Sequence, residues 1–149
     1  MSAADFSASA HVLLAERAYV ADFLPRRVKS ASWGRLHRAE AHWLNAYDEL
    51  GLRARMTNIL LKLMCYRRVE TDWGGYKENP SPAEISAAVR ELMENHSGTL
   101  SLLLPEDRAL LVLEWDCLSI YVYNPGAKLR KLMKKIARSE GFSWRKAKK

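Results

Sequence analysis

The chain has 149 residues, 48% of them hydrophobic, and this composition predicts one folded domain over 1–149 rather than a disordered chain. Its net charge of +7 is uneven, because the last 22 residues hold ten basic side chains and one acidic side chain, whereas the preceding 127 residues are slightly acidic. The apolar runs are far shorter than the roughly 20 residues that span a bilayer, and the first residues lack the features of a secretion signal.

Four helices are predicted in the part of the chain that ends at Gly98. Apolar residues near helical spacing predict helices over 3–24, 32–51 and 53–69, with Gly51 expected at the end of the second. The segment 70–80 between the third and fourth helices is predicted to be a loop. The fourth helix begins at Ser81-Pro82-Ala83-Glu84, a capping box with proline at the first helical position, and it ends at Gly98.

After Gly98 the apolar period changes from helical to strand-like. Alternating or continuous apolar residues over 100–104, 109–115 and 118–123 predict a three-stranded antiparallel meander. A basic amphipathic helix follows, and residues 143–149 form a basic tail that can be flexible. The predicted fold class is therefore α+β, with four N-terminal helices, then a three-stranded antiparallel meander and a C-terminal basic amphipathic helix packed on it.

Only two cysteines occur, Cys65 in an apolar helical pattern and Cys117 at the connection between two predicted strands. A disulfide framework needs more cysteines and an oxidising compartment. We therefore expect reduced thiols and a cytoplasmic protein.

The sequence contains no recognisable catalytic, metal-binding or cofactor-binding motif, and we expect none of these sites. His37 and His42 are five positions apart, which places their side chains about 140° apart on a helix, too far for one metal ion. Gly74-Gly75 lacks the following Lys-Ser/Thr of a phosphate-binding loop. An enzyme would have to assemble its site from distant residues, and the candidates are His37, Glu40, His42 and Asp116.

Three aromatic residues are candidates for contacts with a partner. Trp73 and Tyr76 lie in the predicted loop around Gly74-Gly75, where exposed aromatic side chains often contact other proteins. The competing interpretation is that both fold back onto the helices. Trp144, near the basic end, is the third candidate.

The basic C-terminal segment is the strongest functional signal in the sequence. A charge run is usually a solvated helix face, but the excess of cations over this segment is larger than helix capping explains. We therefore predict a surface that binds anionic groups of a partner. Its candidate residues are Lys128, Lys131, Lys134, Lys135, Arg138, Arg145 and Lys146.

These observations leave three hypotheses of different classes. The first is a small non-enzymatic binding protein, of the inhibitor, immunity or adaptor type, that contacts a protein partner with an acidic surface. The second is sequence-independent nucleic-acid binding through the basic C-terminal helix and tail, with Trp144 stacking on bases. The third is the enzyme assembled from distant residues. The sequence does not predict the oligomeric state.

Overall fold

The computed structural model describes residues 2–46, 48, 50–116 and 118–147. Tyr47 and Glu49 of the predicted second helix, Cys117, and Lys148 and Lys149 of the predicted tail lie outside the described residues. The described part of the chain is an α+β protein with five α-helices. These are α1 (Ala3–Leu13), α2 (Trp33–Asn45), α3 (Leu52–Met64), α4 (Pro82–Asn95) and α5 (Ala127–Ser139), and a 3-10 turn, Ser30–Ser32, precedes α2.

Seven strands form one antiparallel sheet in the order β3-β2-β4-β5-β6-β1-β7. They are β1 (Ala18–Asp22), β2 (Glu70–Thr71), β3 (Lys77–Glu78), β4 (Thr99–Leu104), β5 (Ala109–Glu114), β6 (Ser119–Tyr123) and β7 (Ser143–Lys146). The N-terminal strand β1 lies between β6 and β7, and β3 and β7 are the two edges.

The two faces of the sheet are covered differently. Helices α3, α4 and α5 pack on one face, which we call the helix face, and bury the larger apolar cluster, with Leu60 and Met133 fully buried in it. Helix α1 covers part of the opposite face, where Phe6 packs on Leu103 and Leu110. Because side chains alternate along a strand, neighbouring leucines of β4 contribute to different clusters.

Helix α2 is attached more loosely than the other helices. None of its described side chains is buried, and Trp33 at its start is 49% exposed. Trp43 is half-buried and meets the ring of Phe23 edge-on at 5.1 Å between centroids. This aromatic contact ties α2 to the segment that follows β1.

The predicted arrangement of four N-terminal helices followed by a three-stranded meander is wrong. The sheet has seven strands, and three of them precede the meander: β1 between α1 and α2, and the β2–β3 hairpin between α3 and α4. Residues 3–24 do not form one helix, because α1 ends at Leu13 and β1 follows. The hydrogen-bond partners of β1 lie about a hundred residues later, and periodicity within one segment does not detect such pairing.

Two further boundaries differ from the predictions for local reasons. Gly51, expected at the end of the second helix, instead precedes α3, and its φ of 71° is in the left-handed region that glycine adopts readily. The predicted loop 70–80 contains β2 and β3, which are only two residues long each and show no measurable period. Gly74 and Gly75, both with positive φ, form the turn that joins them.

The start of α4 is confirmed. The Ser81 hydroxyl accepts a hydrogen bond from the Glu84 amide, and the Glu84 carboxylate accepts one from the Ser81 amide.

Within the described residues, no helix is both long enough and apolar enough to cross a membrane.

Candidate functional site

Helix α5 separates its apolar and basic residues onto opposite sides. Successive helical residues are about 100° apart, so the buried positions, among them Leu129, Met133 and Ile136, share one side of the helix. The exposed cations occupy the other side and form what we call the basic stripe. The basic stripe consists of Lys128, Lys131, Lys134, Lys135 and Arg138.

The five cations of the basic stripe are free of intramolecular ion pairs with the described residues. At a rise of about 1.5 Å per residue, Lys128 and Arg138 lie about 15 Å apart along the helix axis. The buried side of α5 packs against the sheet and against α3, so the stripe is held on a rigid element. It is therefore a preformed array of positive charge whose members have no ion-pair partner in the part of the chain that the structure describes.

The neighbouring Arg130 has a different role from the stripe. Its guanidinium lies 5.5 Å from the ring centre of Tyr19 on β1, and Nη1 donates a 3.0 Å hydrogen bond to the Pro125 carbonyl. Arg130 therefore fixes α5 over the β1–β7 end of the sheet.

The two basic residues predicted in the tail lie on β7 and differ in availability. Arg145 donates a 2.7 Å hydrogen bond to the Asp22 carboxylate on β1, so its charge is already compensated. Lys146 is exposed and has no ion-pair partner among the residues described. Of the seven predicted cations, six are thus free at the surface.

The three aromatic candidates are all engaged within the molecule. Trp144 stacks on Tyr19 with ring centres 5.6 Å apart, and the Trp73 indole donates a 2.8 Å hydrogen bond to Glu91. Tyr76 packs edge-on against Phe6 at 6.3 Å. All three side chains are half-buried, and Trp73 and Tyr76 contact helices α4 and α1, onto which they were alternatively expected to fold back.

Tyr76 also lies beside two carboxylates. Its hydroxyl donates a 3.2 Å hydrogen bond to Glu78. Desolvation, together with the negative charges of Glu70 and Glu78, raises the pKa of Tyr76 to about 12. The phenol is therefore protonated at neutral pH and acts as a hydrogen-bond donor.

The residues proposed for an assembled enzyme site are only partly brought together. His37 and Glu40 are in contact, with Nδ1 and Oε1 3.4 Å apart, on the exposed helix α2. Asp116 lies in the turn between β5 and β6, where its carboxylate accepts the Leu118 amide. In the part of the chain that the structure describes, no group of three or more His, Cys, Asp or Glu side chains is arranged to hold a metal ion.

The β6–β1 part of the opposite face brings polar residues together, of which only Asp116 was a candidate from the sequence. Ser119 of β6 is paired with Asp22 of β1, and Asp116 lies in the adjoining turn. Burial raises the pKa of Asp116, and the negative charge of Asp22 adds to the effect. Desolvation likewise raises the pKa of Glu114 at the end of β5. These residues converge only because β1 inserts beside β6, and no local pattern predicts that.

Two surface pockets of similar size border the sheet. One, of about 630 Å³, lies at the end of α3 and has an apolar lining that includes Met64, Val69 and Pro80. The other, of about 640 Å³, lies between the end of α1 and the β6–β1–β7 end of the sheet, and its lining includes Tyr123 and Lys146. The second pocket adjoins the edge strand β7.

No protein-family model matches this chain, and no curated protein or solved structure shows significant similarity to it.

Proposed function

We propose that this chain is a small non-enzymatic binding protein, of the inhibitor, immunity or adaptor type, whose basic stripe recognises an acidic surface of a protein partner. The observation that carries the proposal is the row of five exposed cations on α5, none of which forms an ion pair with a described residue. Such a row attracts an acidic surface at long range and orients it as the two proteins approach.

The chemistry of the stripe supports a role in association. Four of its five members are lysines, whose compact, strongly hydrated ammonium groups act as point charges rather than as bidentate forks. Interface cores are depleted of lysine, so lysines contribute mainly to association rate and orientation. The stripe therefore supplies attraction, and the remaining contacts of the interface supply most of the affinity.

The positions of the aromatic residues favour a protein over a single-stranded nucleic acid. Proteins that bind single strands without sequence preference combine a basic groove with aromatic rings on which bases stack. Here Phe142 is buried at 3% exposure and Trp144 stacks on Tyr19, so neither ring is presented beside the stripe.

We place this binding protein in the cytoplasm. Cys65 is exposed and free, and an unpaired surface thiol is typical of a reducing compartment.

The proposal is tested by fluorescence anisotropy with three labelled probes, a polyglutamate peptide, a DNA duplex and a single-stranded RNA, over a salt series. A stripe variant, Lys131→Gln/Lys134→Gln/Lys135→Gln, removes three charges from α5. A control variant, Arg26→Gln/Arg27→Gln/Lys29→Gln, removes three charges from an exposed segment before α2. Both variants have the same net charge.

We expect polyglutamate to bind at about 0.15 M salt, the stripe variant to lose binding and the control to retain it. Equal loss in both variants would contradict a specific role for α5. Tighter binding to the DNA duplex, with log K falling by about 4.5 per decade of salt for five phosphate contacts, would favour the nucleic-acid hypothesis instead. An absence of binding to all three probes would also overturn the proposal.

A further inference from the structure

Strand β7 is one edge of the sheet among the described residues, and it contacts α5, the helix that carries the basic stripe. The Ala147 amide donates to the Ala18 carbonyl at 3.0 Å, and the register pairs Arg145 with Val20. In an antiparallel ladder, hydrogen-bonding groups alternate in direction, so the N–H and C=O groups of Trp144 and Lys146 point away from β1. Within the described residues, nothing accepts from or donates to these outward groups.

The surroundings of this edge are suited to an added strand. The side chains of a strand paired with β7 alternate between the two faces of the sheet. On the helix face they meet α5, which packs on β1 and β7. On the opposite face they lie toward the pocket of about 640 Å³, whose lining includes Lys146 and Ala147.

The positive charges at this edge favour an acidic segment over a second copy of β7. Lys146 is exposed on β7 and the basic stripe runs along the adjacent helix, so an acidic segment is attracted. A second copy of β7 is repelled, because antiparallel pairing of two copies would bring their Lys146 side chains and their basic stripes toward each other. Lysine on an edge strand commonly blocks such pairing. The other edge, β3, is two residues long and carries Glu78, so it does not offer an equivalent site.

We propose that β7 accepts an extended acidic segment of the protein partner as an eighth strand of the sheet. This inference rests on the proposed function and specifies how the partner binds. Backbone hydrogen bonds to Trp144 and Lys146 hold the segment, and its carboxylates on the helix-face side lie beside α5, the helix that carries the basic stripe.

The test uses a capped, labelled peptide of alternating threonine and glutamate, and the same peptide with all its amides N-methylated. Both have the same charge, but only the first can donate backbone hydrogen bonds to an edge strand. We expect N-methylation to weaken binding at least about tenfold, the equivalent of one to two hydrogen bonds. We also expect the unmethylated peptide to slow hydrogen exchange at the Trp144 and Lys146 amides.

Two variants separate the edge from its charge. Lys146→Pro removes the outward amide and the charge, whereas Lys146→Ala removes the charge alone and leaves the amide. We expect Lys146→Pro to bind the peptide at least about fivefold more weakly than Lys146→Ala. Circular dichroism and thermal unfolding of both variants verify that the fold is retained.

Equal binding of the two peptides, or of the two variants, would overturn the edge proposal. If the polyglutamate experiment still showed dependence on the basic stripe, the proposed function would stand and only this binding mode would fail. Protection of the Trp144 and Lys146 amides without peptide, together with dimerisation, would also contradict the proposal, because a second copy would then occupy the edge.

Discussion

Arg145 of β7 donates a 2.7 Å hydrogen bond to the Asp22 carboxylate of β1, although the two residues are 123 positions apart in the chain. Their side chains are 29% and 15% exposed, so the pair is largely withdrawn from water. Asp22 also accepts the amide of Leu24. This ion pair therefore joins the last strand of the sheet to the first.

Asp22→Asn should lower the free energy of unfolding by about 1–2 kcal/mol, because it leaves the partly buried Arg145 without its counter-charge. The amide oxygen can still accept the Leu24 amide, so the turn is preserved. Urea denaturation of Asp22→Asn, Arg145→Gln and the double variant measures the coupling between them. If the two single effects simply add, the ion pair makes no net contribution.

Asp116 should destabilise the protein at neutral pH. The pKa of Asp116 is raised in the folded protein. Its contribution to the free energy of unfolding therefore falls as pH rises from the ordinary value of 3.8 through the raised pKa. Asp116→Asn should therefore raise the free energy of unfolding at pH 7, and the advantage should disappear below about pH 3.8. Unfolding curves at several pH values measure this.

Asp72→Asn is the control for net charge, since Asp72 is exposed in the β2–β3 turn. A stabilisation by Asp116→Asn that is independent of pH, or that matches the control, would mean that burial of the charge is not the cause.

Glu84 should contribute stability that acid removes. Two hydrogen bonds, a larger effect from Lys77 and a smaller one from the Ser81 amide, lower the pKa of Glu84 from 4.5 to about 2. The contribution is complete above pH 4.5 and is lost as pH falls toward 2. Glu84→Gln should therefore flatten the fall in melting temperature over this interval, which calorimetry measures. An unchanged slope would contradict this assignment.

The two sides of α5 should respond very differently to alanine. Met133→Ala removes a fully buried side chain and should cost about 2–4 kcal/mol, whereas Lys131→Ala on the exposed side should change stability by less than about 0.5 kcal/mol. Chemical denaturation of both variants provides the comparison. A large loss for Lys131→Ala would mean that the basic stripe is held by contacts within the protein.

Local patterns predicted the local features of this fold. The capping box at Ser81 depends on four adjacent residues, and the two sides of α5 follow from one helical period. Strand β1 was missed because Tyr19, Val20 and Ala21 acquire hydrogen-bond partners only from β6 and β7. Propensity within residues 18–22 does not contain that information.

The same limit applies to the candidate site. The residues of the basic stripe were identified from sequence, because exposed lysines on an amphipathic helix follow from its period. The packing of Trp144 could not be predicted, because its stacking partner Tyr19 lies near the other end of the sequence. The open edge of β7 could not be predicted either, because it depends on the order of the strands in the sheet.

The insertion of β1 between β6 and β7 has a consequence for biosynthesis. During translation β1 emerges first, and its neighbours emerge about a hundred residues later. Strand β1 must therefore remain unpaired while the ribosome synthesises the residues up to β6, and a molecular chaperone can bind it during that interval. This end of the sheet closes only after both β6 and β7 have left the exit tunnel, because β1 lies between them.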